Sequence, residues 1–259
     1  MRFFFILFLF SIANYGQSTV SYLKKDSLNF KASAFYGVDD FENFYYSQGN
    51  TLIKQQKQTI TSYNNILLDS ISSVDILNPL RITVLYKKFN TVVILDNALN
   101  EFYKINFSLN GSFKNIQFAT TGSSQNIWVF DTNTQQLELY NYQTEQSTKI
   151  GFPIHEKVLD MKSNYNFCWV LSDKFIYQYN TYGSLLTKIP CTNGKLLISD
   201  KKDIMVVVNN QILQLNNSEL TPINIDTDNF SEYVSLNRDN LYIYQEKKQL
   251  RVYSKQNNK

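Results

Sequence analysis

An all-β fold, made from one small unit of short strands repeated around six times, is the class this sequence predicts. Three observations carry that expectation. The apolar runs are four to six residues long and either alternate with polar residues or are solidly apolar, with no sustained i, i+3, i+4 stripe that would mark a helix. Tyr (18) and Phe (19) are abundant and β-branched residues fill the runs, which suits half-buried pleated surfaces. A hairpin-like pattern, two apolar runs flanking a polar turn, returns every 36–45 residues.

The first element does not belong to the fold. Arg2 and the amino terminus form a short positive region, and Phe3 to Phe10, extended through Ile12 and Ala13, is an apolar run of signal-peptide length. It falls short of the roughly twenty apolar residues that a membrane-spanning helix needs. Ser11 and Ala13 suit a cut before Asn14, and Gly16 suits one before Gln17. No Cys lies near either site, so a lipid-modified terminus is not expected. The chain therefore divides into residues 1–16, a signal peptide, and residues 17–259, one large all-β domain. No second segment approaches transmembrane length.

The hairpin copies begin near Asn43 (NFYYSQGNTLIKQ), Ile82 (ITVLYKKFNTVVILD), Ile127 (IWVFDTNTQQLELYN), Cys168 (CWVLSDKFIYQYN), Ile204 (IMVVVNNQILQLN) and Leu241 (LYIYQEKKQLRVY). A shorter strand-like piece ending in a turn precedes most of them, such as SSVDILNP, VLDMKSN or KLLISDK. A further polar-apolar stretch follows in most copies, such as EFYKINF or LLTKIP. Four short strands in a unit of about forty residues is the period of a β-propeller blade. Six copies imply six blades. Runs such as Met205–Val208 read as central strands buried on both faces.

The sixth unit has its hairpin but no fourth strand before Lys259, whereas Thr19–Leu23 is a spare strand ahead of the first blade. The N-terminal strand is therefore expected to supply the outer strand of the last blade. Closing the ring this way removes an unpaired edge. With the chain ending inside that blade, no appended anchor or enzyme module is expected either.

Composition narrows the function classes. Gly (8) and Pro (4) are scarce, so the chain is not a low-complexity array. Net charge is +3 with the two signs interspersed, and no Lys/Arg cluster resembles a nucleic-acid footprint. The pairs Lys24-Lys25, Lys87-Lys88, Lys201-Lys202 and Lys247-Lys248 are expected at turns and strand edges. Cys168 sits inside an apolar run and Cys191 follows Pro190 in a connector, so two buried free thiols are expected ahead of a disulfide.

Candidate chemistry is sparse. His155 is the only histidine, with Glu156 beside it, but adjacent strand residues point to opposite faces, and a solvated loop histidine is expected. The acidic stretches Val38–Glu42 and Asp226–Asn229 lack the full calcium-loop pattern, and turn formation by Asp and Asn accounts for both. Asp75 and Asp160, on strand-like pieces near the ring centre, are the residues that a metal-assisted channel site would recruit. Local spacing cannot test them, because ligands from separate blades leave no motif. Zinc-ligand spacing, a nucleophile elbow, a phosphate loop and a dinucleotide fingerprint are all missing. No catalytic residue, metal ligand or cofactor is assigned. The aromatic turns Phe44-Tyr45-Tyr46 and Tyr140-Asn141-Tyr142 are expected to pack between blades rather than bind sugar or peptide.

The sequence has neither the WD dipeptide of WD40 blades, nor a kelch-like Gly-Gly pair, nor a sialidase S-x-D-x-G-x-T-W box. Its export segment and irregular blade repeat, across essentially the whole chain, resemble exported six-bladed propellers of the Bacteroidota type. That resemblance is architectural and implies no functional residues. Asp26-Ser27-Leu28 and Asp69-Ser70-Ile71 look similar to the D-[S/T]-apolar O-glycosylation site of that group, but three-residue patterns match often by chance and a simple strand-end turn is the expected reading of each. The expectation is a monomeric, non-enzymatic periplasmic propeller that binds a protein partner, as a soluble component of an outer-membrane or secretion-related assembly. It is not expected to bind nucleic acid or to span the membrane. The alternative is a lactonase-like, metal-assisted hydrolase working from the central channel.

Overall fold

The computed structural model describes residues 20–29, 31–109, 113–227, 233–245 and 248–256. The expected signal peptide and its cleavage site lie outside them, as do Asp228, Asn229 and Lys247. Six antiparallel sheets form the ring: residues 34–63, 73–106, 116–150, 158–190, 194–222, and a sixth of 233–256. In each of the first five, four strands lie side by side in chain order. The chain is a six-bladed β-propeller.

The hairpins that define the repeat form the second and third strands of each blade. The shorter preceding pieces form the innermost strands: Ala34–Val38, Ser73–Asp75, Ile116–Thr121, Val158–Ser163, Gly194–Ser199 and Tyr233–Asn237. Packing between blades explains the solid apolar runs. In Ile82–Tyr86 and Thr91–Leu95 every residue is buried, because each of these strands is covered on both faces by a neighbouring blade. Val84, Val93 and Leu95 meet Tyr45 and Leu52 of blade 1, while Leu85, Val92 and Ile94 meet Ile127, Val129 and Tyr140 of blade 3. Outer strands need only one covered face, so Gln146–Ile150 buries Ile150 alone.

Closure occurs as the spare strand predicted. Ser21–Asn29 pairs antiparallel with Gln249–Gln256, so the sixth sheet takes its outer strand from the start of the chain. The strand runs longer than the expected Thr19–Leu23, and Asn224–Ile225 adds a short parallel segment outside it. Tyr22 plugs this strand into the layer between blades 5 and 6, among Ile198, Met205, Val207, Leu241 and Ile243. Asp26-Ser27-Leu28 consequently lies within the strand, beside a bulge at Lys24/Asp26, and is no strand-end turn. The Ser27 hydroxyl is buried, whereas Ser70 is exposed in a connector.

One device was invisible in the sequence. The inner strands of blades 1, 3, 4 and 5 each shift register near the start: Phe35/Gly37, Ile116/Phe118, Val158/Asp160 and Gly194/Leu196. A bulge adds one residue, increases local twist and re-aims the side chains that follow. Here it repeats in four of the six blades.

Cys168 and Cys191 are free and buried in separate layers, between blades 3 and 4 and between blades 4 and 5. Tyr45, Tyr46, Tyr140 and Tyr142 are buried in the packing between blades, and the Phe44 ring lies edge-on to Tyr242 at 6.5 Å.

Candidate functional site

Each inner strand ends in a tight turn that leads back into the second strand, and all these turns fall on one face of the ring, called here the lower face. Their chemistry is local. Asp39 Oδ1 accepts N–H bonds from Phe41 and Asn43 at 2.9 and 3.0 Å, Asn164 Oδ1 from Asn166 and Phe167 at 2.9 and 2.8 Å, and Asp200 Oδ1 from Lys202 and Asp203 at 2.7 Å each. Short Asp and Asn side chains mimic a turn of backbone in this way, which is why they punctuate the repeat at these points. Residues 38–42 are therefore a turn, as read from the sequence, with Asp39 also taking the Tyr45 hydroxyl at 2.9 Å.

The inner strands and turns of blades 1, 2, 5 and 6, with Lys162 of blade 4, line a cavity of about 400 Å³ at the lower mouth of the central channel. Its walls mix apolar Val74, Ile76, Ile198, Val234 and Leu236 with polar Tyr36, Lys162, Ser199 and Ser235. Its rim is charged: Asp39, Asp40, Asp75, Asp200, Asp203 and Asp239 outnumber Lys162, Lys201, Lys202 and Arg238, on a chain whose net charge is +3. Bonds between turns hold the rim in place. Lys201 of blade 5 reaches over blade 6 to pair with Asp40 of blade 1, and Arg238 Nε lies 3.3 Å from the same carboxylate. Asn237 Nδ2 donates to the Asp39 carbonyl at 2.8 Å, and the Tyr165 hydroxyl of blade 4 donates to the Leu77 carbonyl of blade 2 at 3.2 Å. The Lys201 hydrogen bond holds the Asp40 carboxyl below its usual range despite partial burial. Burial instead pushes Asp200 up, against the N–H bonds from Asp203 and Lys202.

The two channel carboxylates proposed from sequence do lie on inner strands, but each is engaged in joining its blade to the next. Asp75 Oδ2 accepts the Thr121 N–H at 2.7 Å and the Thr120 hydroxyl of blade 3, while Oδ1 accepts the Leu77 N–H at 2.9 Å. Asp160 Oδ2 accepts the Leu197 N–H of blade 5 at 2.7 Å, and Oδ1 its neighbour Met161 at 2.8 Å. Desolvation pushes the Asp160 carboxyl above its ordinary value. His155 is exposed in the connector between blades 3 and 4, bonded to Gln135 at 3.0 Å. Glu156 instead faces Lys188 at 3.8 Å, so the two share no site. Among the described residues no group of three or more His, Cys, Asp or Glu side chains is arranged to hold a metal ion.

The lower rim was not picked out in the sequence, although a signal was present. The tetrapeptides DKKD (200–203) and NRDN (237–240) stand at the same point of the repeat as VDDFEN (38–43), directly after the inner strand. Aligning the repeat by that strand places all three on one face.

No protein-family model matches the chain, and none of the curated proteins matches its sequence. Solved structures do match its shape. Virginiamycin B lyase from Staphylococcus aureus superposes with a TM-score of 0.64 at 13% identity, over 88% of this chain and 98% of that one. The Pan2 WD40 domain of Neurospora crassa gives 0.62 at 10% identity, over 94% and 98%. PorZ of Porphyromonas gingivalis, described as an essential bacterial surface component of the type-IX secretion system, gives 0.52 at 11% identity, over 93% of this chain and 39% of that one. At such identities the likeness establishes the β-propeller fold and nothing finer.

Proposed function

We propose that this chain is a non-enzymatic interaction propeller, exported to the periplasm, which serves as a soluble component of an outer-membrane or secretion-related assembly and engages its partner at the lower channel mouth. The observation that carries the reading is the mouth itself: a cavity of about 400 Å³ with mixed walls under a charged rim that bonds between turns hold in shape. A preformed concave site whose polar groups are already held in place suits recognition with little ordering cost. Export rests on the apolar run after Met1-Arg2, and the assembly on analogy with PorZ. Asp75 and Asp160, which a channel hydrolase would need open, are occupied by N–H and hydroxyl donors. Their engagement favours the scaffold over the hydrolase.

The test is a tagged pull-down from gently solubilised envelope, with the bound proteins identified, run for wild type and for Asp40→Ala. A stoichiometric envelope partner that weakens in the variant supports the reading. A hydrolase would be indicated by a stoichiometric metal in the purified protein and no partner. Recovery of the protein from the culture medium instead of the periplasmic fraction would count against the assignment of place.

A further inference from the structure

Each blade ends in an outer strand whose free edge presents backbone N–H and C=O groups that a further strand could bond. Five of these edges carry a device that discourages such pairing. Glu101–Asn106 has Glu101, Lys104 and a bulge at Phe102. Gln146–Ile150 has Lys149. Leu185–Pro190 has Lys188, Pro190 and a bulge at Leu186. Glu219–Pro222 is short and holds Glu219 and Pro222. Ser21–Asn29 has Lys24, Lys25, Asp26 and a bulge, and Asn224–Ile225 covers part of its edge. Charges, prolines, bulges and covering segments are the means by which proteins keep sheet edges apart.

Blade 1 is the exception. Its outer strand Thr59–Tyr63, TITSY, contains no charge, no proline and no bulge, and pairs only with Thr51–Gln56. Ile60 on this strand is 60% exposed, and the connector that leaves it adds Ile66 at 92% and Leu67 at 72%. The register shows which groups are free. The two-residue loop Lys57-Gln58 closes on the pair Gln56–Thr59, so the bonded pairs of this hairpin are Gln56–Thr59, Lys54–Thr61 and Leu52–Tyr63. The N–H and C=O groups of Ile60 and Ser62 therefore point away from the blade.

We propose that this edge is the docking surface for a second copy of the chain, with Thr59–Tyr63 pairing antiparallel to its own counterpart about a two-fold axis at Thr61. The strand is complementary to itself in that register, which is what selects a second copy over a foreign strand. Ile60 lies opposite Ser62 of the other copy, so the outward-pointing groups meet as bonded pairs. Thr61 faces Thr61, a favourable cross-strand pair. Lys57, the nearest charge along the chain, falls opposite Asn65 and not opposite its own counterpart, so no like charges meet. Two blades then join into one continuous sheet at the perimeter of the rings, apart from the lower mouth. The proposal goes beyond the interaction reading and replaces the monomer expected from the sequence. An edge of this length makes a small interface, so the dimer is concentration-dependent.

The experiment is analytical ultracentrifugation of the full folded chain over about a hundredfold range of concentration. The average mass is expected to rise from one chain towards two. Ser62→Pro removes an N–H that the blade's own ladder does not use, and Ile60→Lys places a charge on the edge. Each should weaken association by roughly tenfold or more. Gln146→Lys, exposed on the outer strand of blade 3, should leave it unchanged. A urea midpoint close to wild type confirms that each variant is folded, and Ile60→Lys, at an exposed side chain, keeps the test valid if Ser62→Pro does not fold. A mass of one chain at every concentration would overturn the proposal, as would growth beyond two chains, a dimer that survives the edge variants, or equal loss with Gln146→Lys.

Discussion

Ring closure gives the sharpest prediction. Removing residues 18–29 deletes the strand Ser21–Asn29, whose ladder to Gln249–Gln256 runs from Ser21↔Gln256 to Asn29↔Gln249. The third strand of blade 6 would become an exposed edge, and the slot filled by Tyr22 among Ile198, Met205, Val207, Leu241 and Ile243 would empty. Losing a fully buried aromatic side chain alone costs about 3–5 kcal/mol, and the ladder hydrogen bonds add about 1 kcal/mol each. The total rivals the whole stability of an ordinary domain, about 5–15 kcal/mol. Urea denaturation followed by the fluorescence of Trp128 and Trp169, in blades 3 and 4 away from the break, reports whether the ring melts as one unit. The truncated chain should be unfolded, or should melt far below wild type at both tryptophans. Tyr22→Ala should lower stability by about 3–5 kcal/mol, whereas Tyr22→Phe, which removes a hydroxyl without a partner, should not destabilise. A truncated protein with an unchanged urea midpoint would refute the closure argument.

Three further outcomes are expected. Lys114→Met strands the buried Glu138 carboxylate, which now accepts from Lys114 Nζ at 2.7 Å and from the Ser147 hydroxyl, and should cost about 3–5 kcal/mol in urea unfolding. The double variant Lys114→Met with Glu138→Leu should recover much of that loss. Gly37→Ala should destabilise by about 1–3 kcal/mol, because Gly37 adopts φ +143° and a Cβ there would sit 2.5 Å from Ser235 Oγ where the inner strands of blades 6 and 1 touch. Asp40 has a folded-state pKa below its ordinary value, so its ties to Lys201 and Arg238 contribute stability above the unfolded pKa of about 3.9 and lose it as pH falls through the lower folded value. The stability gap between wild type and Asp40→Asn should accordingly be present at pH 6 and close in strong acid. A gap independent of pH would remove the ion pairs from the explanation.

The blade count, the hairpin positions and the closing strand were legible in the sequence because they depend on local and countable properties. A strand covered on both faces must be apolar throughout, as Ile82–Tyr86 and Ile204–Val208 are. A turn between such strands must supply its own hydrogen bonds, which Asp39, Asn164 and Asp200 do. A spare strand at one end and a missing strand at the other admit one economical pairing. The lower mouth was decided by tertiary structure. Its charged residues come from turns that stand some forty to two hundred positions apart, and only the circular arrangement of blades brings Lys201 to Asp40 or Tyr165 to Leu77. The inner-strand bulges are equally silent in sequence, since an extra residue in a ladder shows only against its partner strand. Asp75 and Asp160 show the difference most plainly. Their position on inner strands could be read from the repeat. That their oxygens are engaged by Thr121 and Leu197 of the next blade could not, because backbone N–H groups look alike in every sequence and only the fold says which carboxylate they meet.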